Sequence, residues 1–127
     1  MGMTGMAAPA FYVTTPIYYV NDVPHIGHMY TTLACDVIAR FKRLDGYDVR
    51  FLTGTDEHGQ KVQKAAAAAG MSPREFTTRM SSNFRELAAL MNFSNNDFIR
   101  TTEARHTRAC TALWERLTER DQIYLQT

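Results

Sequence analysis

The run FYVTT (Phe11 to Thr15) is β-branched and aromatic, and Pro16 closes it, a pattern that predicts a strand feeding a loop. From Gly27 the rhythm changes. Met29, Leu33, Val37, Ile38, Phe41 and Leu44 recur at helical spacing before Gly46 supplies a stop, which predicts a helix with one buried apolar stripe. DVRFLTG (Asp48 to Gly54) then predicts a second short strand. Strand, loop, helix and strand in that order describe a βαβ unit, the connection that builds a parallel sheet with a right-handed crossover.

Further along, QKVQKAAAAAG (Gln60 to Gly70) is a strong helix former closed by a glycine. SPRE (Ser72 to Glu75) has the form of a capping box, with Pro73 at the first helical position, and predicts a helix to about Met91 that buries Phe76, Met80, Phe84, Leu87 and Met91. NFSNND is turn chemistry, FIR predicts a brief strand, and a last helix is expected from about Thr102 to Glu119 with Cys110, Leu113, Trp114 and Leu117 packed on one face. A strand-like run, Ile123 to Leu125, follows just before Thr127. The pattern as a whole is α/β: a Rossmann-like parallel sheet with flanking helices, incomplete in this chain, with residues 1–10 as a mobile lead-in and residues 11–127 as the N-terminal portion of one domain.

Composition narrows the class. With 127 residues, of which 45% are hydrophobic, the chain has the material for one core. Its 14 basic and 13 acidic residues are interspersed, so no polybasic tail marks it for nucleic acid or an anionic membrane. Cys35 and Cys110 stand far apart and form neither a disulfide framework nor a metal knuckle, which fits a reducing, cytoplasmic setting. No window approaches a membrane span, and MGMTGMAAPA lacks the basic and apolar parts of a secretory signal.

In a parallel sheet, ligands gather beyond the carboxyl ends of the strands, and both polar clusters fall there. The loop after the first strand carries His25 and His28 around Gly27; the loop after the second carries Thr55, Asp56, Glu57 and His58. The helix starting beside Gly27 offers free amides and a positive dipole end to an anion, and the glycine would admit a nucleotide ring close to the backbone. Three readings of the histidines stay open on spacing alone. They can be structural imidazoles, groups aimed at a phosphate, or metal ligands together with Asp56 and His58, although no HExxH-like spacing ties such a set together. Tyr18 and Tyr19 read as strand-edge packing residues, and Asp56 and Glu57 as carboxylates at a helix N-terminus.

PHIGHMY carries a resemblance. His25-Ile26-Gly27-His28 matches the HIGH motif of class I aminoacyl-tRNA synthetases and related nucleotidylyltransferases, and the stretch from Tyr12 to Val62, with DFIRTTEARH and IYL after it, resembles the start of the methionyl-tRNA synthetases. The resemblance covers nearly all of the chain from Phe11 onward. It implies a ligase that activates methionine with ATP to methionyl-adenylate and transfers it to the 3'-terminal adenosine of tRNA(Met), with Mg²⁺ arriving on ATP. By the same resemblance His25 and His28 are catalytic and, with Gly27, bind ATP. Asp56 receives the α-ammonium of methionine, and Ile17 and Tyr19 line its side-chain pocket.

Members of that family also carry a later Lys-Met-Ser-Lys-Ser loop, further strands, an anticodon-reading domain and often a cysteine-ligated zinc, none of which these residues contain. The expectation is therefore an N-terminal catalytic fragment that contacts tRNA mainly through other regions, has no zinc ligands and is inactive alone. Two alternatives are a small HIGH-type nucleotidylyltransferase and a non-catalytic ligand-binding fragment.

Overall fold

The structure, a computed structural model, describes residues 7–126. The first six residues of the expected lead-in lie outside the described residues; its last, Ala10, opens β1 (Ala10–Thr14), and the Pro9 carbonyl accepts a hydrogen bond from the Asp48 amide. A two-residue strand, β2 (Tyr18–Tyr19), comes before α1 (Ile26–Leu44) and β3 (Asp48–Asp56). After β3 come α2 (Gln60–Ala68), α3 (Pro73–Leu90), β4 (Asp97–Arg100) and α4 (Ala104–Thr118). The capping box at α3 is complete, since Ser72 Oγ accepts from the Glu75 amide and the Glu75 carboxylate accepts from the Ser72 amide.

The sheet is parallel throughout and centred on β3, which pairs with β1, β2 and β4. Leu52 is in register with both Thr14 and Asp97, and Thr55 with both Tyr18 and Arg100. β4 therefore occupies one edge of β3, while β1 and β2 follow one another along the other. Between the two, Thr15, Pro16 and Ile17 stand opposite only Thr53 and Gly54, so the chain carries one extra residue at the proline. Proline fits such a place because it has no amide hydrogen to give to a ladder.

Alternate residues of β3 (Val49, Phe51, Thr53 and Thr55) are buried, and all three crossover helices cover that face. The steps from β1 to β3 and from β3 to β4 run in the same direction across the sheet, so right-handed crossovers place α1, α2 and α3 on one side. Ala39 of α1 packs on Val49 and Phe51, and Val62, Ala66, Phe76 and Phe84 pack on Tyr18, Val20 and Phe98. Burying an aromatic such as Phe51 contributes about 2–3 kcal/mol. The other face leaves Tyr12, Thr14 and Arg50 exposed.

The predicted buried stripe of α1 is not the face that packs. Leu33, Val37, Ile38, Phe41 and Leu44 are exposed, while Thr32, Asp36 and Ala39 are buried. Directional bonds set the rotation of this helix. Asp36 Oδ1 accepts from the amide and hydroxyl of Ser94 at 2.6 Å each, Arg40 donates to Asp36 and to the Asn92 carbonyl, and Arg43 donates to Ser94 and Asn96. Ala39 has no long side chain to hold the helix away from the sheet. Two other expectations also change. α4 buries none of its residues, so Leu113 and Trp114 do not pack, and Met91 is exposed past the end of α3. Ile123 to Leu125 form no strand, because no strand lies beside them among the described residues.

Gly54 shows how closely β4 is laid against β3. A Cβ there would stand 2.1 Å from the Ile99 carbonyl oxygen, a backbone atom that cannot turn aside. Gly54→Ala is expected to destabilise the protein by about 3 kcal/mol, or to prevent its folding, through overpacking between the two strands. Thermal denaturation followed by circular dichroism measures this, and an unchanged midpoint would contradict the close contact.

Candidate active site

α1 begins on its own histidines. His25 is the N-cap, and its Nδ1 accepts from the Gly27 amide at 3.1 Å, while His28, three residues on, accepts at Nδ1 from the His25 amide at 3.1 Å. This is a capping box written in imidazoles instead of the usual hydroxyl and carboxylate. With Nδ1 an acceptor in both rings, the hydrogen-bond network assigns the neutral tautomer with the proton on Nε2 to each. The rings stack with centroids 3.8 Å apart, so two N–H donors stand together at the positive end of a helix. Gly27 makes this possible, since a Cβ there would lie 3.0 Å from Cε1 and 3.1 Å from Nδ1 of the folded-back His25 ring.

The inner ring is held from below. Tyr18 meets His28 edge-on at 4.7 Å and Phe84 meets it edge-on at 5.1 Å. The Thr32 hydroxyl donates to the His28 carbonyl at 2.9 Å and accepts from the Tyr18 hydroxyl at 2.9 Å. Burial against these rings, aided by the charge of His25, holds His28 below its ordinary pKa.

Neutral His28 is thus tied to the folded helix start, and protonating its Nδ1 would set two N–H groups against each other. Because its folded pKa lies below the unfolded value of 6.5, its contribution to stability is full above that value and is lost as pH falls through the folded pKa. Denaturation midpoints are expected to drop between about pH 7.5 and about pH 5.5, and to drop less in a His28→Gln variant. Equal drops in the two proteins would remove His28 from the effect.

Ile17, Tyr19, His25 and His28 line one cleft of about 350 Å³ together with Asn21 and Asp22. Tyr19 is in register with Asp56, so the last residue of β3 reaches the sheet end beside that cleft. The Asp56 carboxylate accepts from the His58 amide at 3.2 Å. Glu57 and His58 line a different cleft, and Glu57 is a buried partner of Arg100 rather than a carboxylate at a helix start. The arrangement offers an anion two aligned donors, a helix terminus, an aromatic wall and a nearby carboxylate. Among the described residues no three His, Cys, Asp or Glu side chains come together as metal ligands, so His25, His28, Asp56 and His58 do not form the cluster weighed above. Tyr18 and Phe84 were not legible as parts of the site. Their only sequence signal is an aromatic residue next to the loop and another on a distant helix.

A family model for class I tRNA synthetases (M) matches residues 11–127. The chain belongs to this family. Similar relatives include the methionine--tRNA ligases of Rickettsia felis, 61% identical over 114 residues, and of Rhizobium meliloti, 55% identical over 114 residues. Each match covers 90% of this chain and 22% of the relative, so the chain spans about a fifth of the length of these synthetases. Among solved structures, the Mycobacterium tuberculosis methionyl-tRNA synthetase in complex with methionyl-adenylate superimposes with a TM-score of 0.85 at 53% identity, covering 87% of this chain and 22% of that one. The parallel sheet and flanking helices described above are thus shared with that solved synthetase over the matched region. No helix among the described residues is long and apolar enough to cross a membrane.

Proposed function

We propose that the complete protein carrying this chain is a methionine--tRNA ligase, working in the cytoplasm, and that these residues form the start of its catalytic domain. The observation that carries this reading is the pair of stacked imidazoles whose Nε2–H donors stand at the N-terminus of α1, in one cleft with Tyr19. A methionine carboxylate oxygen attacks the α-phosphorus of ATP, and the bond to the pyrophosphate oxygen breaks. Negative charge gathers on the phosphoryl oxygens as this happens. His25 and His28 donate to that charge in place, at no reorganisation cost, because their orientation is already set by the cap. Gly27 leaves the backbone open to the nucleotide.

Asp56 takes the α-ammonium in a charge-assisted hydrogen bond and so orients the attacking carboxylate, while Ile17 and the Tyr19 face receive the polarizable thioether. Mg²⁺ would arrive as part of the nucleotide substrate and supply positive charge at its phosphates. The adenylate then passes methionine to the terminal adenosine of tRNA(Met), which is held mainly by regions outside these residues. The test is methionine-dependent exchange of labelled pyrophosphate into ATP by the complete protein. Exchange that ignores methionine and requires a phosphorylated acceptor would replace this reading with that of a nucleotidylyltransferase.

A further inference from the structure

One buried ionised group has no part in that chemistry. The Glu57 side chain is fully enclosed, and its carboxylate is completely engaged. Oε1 accepts from Arg100 Nε at 2.6 Å and from the Thr55 hydroxyl at 3.1 Å; Oε2 accepts from Arg100 Nη2 at 3.1 Å and from the Thr102 hydroxyl. Arg100 also donates to Thr78 of α3 at 3.0 Å, and Thr55 is bonded to Ser81 of the same helix at 3.1 Å. Burial pushes the carboxyl pKa up, but the bonds from Arg100 and Thr102 and the arginine charge outweigh it, and the group stays ionised.

An enclosed ion pair of this kind adds little net stability, because desolvating both charges offsets their attraction, and apolar residues of similar size do as well or better. What it does supply is direction. At Thr55 the central strand still has neighbours on both sides, but Asp56 is paired on one side only, by Tyr19. On the other side the ladder ends as the Thr101 amide donates to the Thr55 carbonyl. The next residue is where the chain would be free to swing, and there the Glu57 amide donates to the Thr101 hydroxyl at 2.9 Å while its carboxylate gathers β3, β4 and the segment after it. Asp56 is thereby clamped between two tied residues.

We propose that Glu57 is a positioning residue: it locks the end of β3 so that the adjacent Asp56 carboxylate is held ready for the ammonium group of the amino-acid substrate. This rests on the role given to Asp56 above. The experiment uses the complete protein with two changes, Glu57→Gln alone and Glu57→Leu together with Arg100→Met, the second replacing the ion pair by apolar groups of similar size. Melting temperature and exchange kinetics are measured for each, with methionine and ATP varied separately. Both variants are expected to raise the KM for methionine about tenfold or more and to move the KM for ATP by less than about twofold, even where the double variant melts at the wild-type temperature. A double variant that regains both its melting temperature and its methionine KM would show Glu57 to be structural only, as would an unchanged methionine KM in Glu57→Gln. Wild-type protein without methionine-dependent exchange would instead sink the functional reading and this inference together, an outcome distinct from active wild type with indifferent variants.

Discussion

His28→Ala in the complete protein is expected to slow methionyl-adenylate formation about a hundredfold to a thousandfold while leaving methionine binding nearly unchanged. The loss corresponds to ~2.7–4 kcal/mol, the usual worth of one prealigned donor to developing negative charge. The geometry predicts the split between rate and affinity. The His28 Nε2–H is fixed by a bond at its other nitrogen and by two aromatic edges, so it is matched to charge that appears only as pyrophosphate departs. The same substitution would leave the His25 amide without its acceptor and weaken the helix start by about 1 kcal/mol, an effect on stability that a melting curve separates from the rate. Single-turnover kinetics beside equilibrium binding decide the matter. An unchanged activation rate would take the histidine out of the reaction.

The 127-residue chain by itself is expected to give no methionine-dependent exchange, although it carries both histidines. Phosphoryl transfer depends on positioning and on positive charge around the departing phosphates, and the cleft that holds His25 and His28 is lined by no lysine or arginine; its charged wall residue is Asp22. Tyr19, one of the walls of that cleft, is 58% exposed. Each shortfall acts on the same transition state, so their effects multiply. The chain should also self-associate, because Tyr30, Val37, Phe41 and Leu44 present apolar surface along the outside of α1. An exchange assay run beside the complete protein, with light scattering on the same sample, measures both. Robust exchange from a monomeric short chain would show the site to be self-contained.

Much of the fold was legible because periodicity and punctuation are local signals. The proline after the first strand, the glycine at position 46 and the SPRE cap each act within a few residues, and β1, α1, α3 and β4 lie close to where they were expected. The rotation of α1 was not legible, since it is set by Ser94, Asn92 and Asn96, more than fifty residues from the side chains they bind. An apolar stripe shows that a helix can bury a face, not that this face wins over buried hydrogen bonds. The site divides in the same way. His25, Gly27 and His28 form a local motif and could be seen, whereas the Tyr18 and Phe84 seat and the Glu57 clamp exist only after the strands and α3 come together.

The extra residue at Pro16 works as a change of phase. In β1 and just after it, odd positions turn toward the helices, as Thr15 does in its 2.8 Å bond to Thr53. Continued unbroken, that alternation would send Ile17 and Tyr19 inward and turn Tyr18 out to solvent. The added residue reverses the parity within a single peptide step. Tyr18 becomes the buried support of His28, and Tyr19 becomes the exposed wall beside Asp56. Two adjacent, identical side chains thus take opposite duties by a count of one, and pairing the same residues in unbroken register, with Ile17 opposite Thr55, would exchange them.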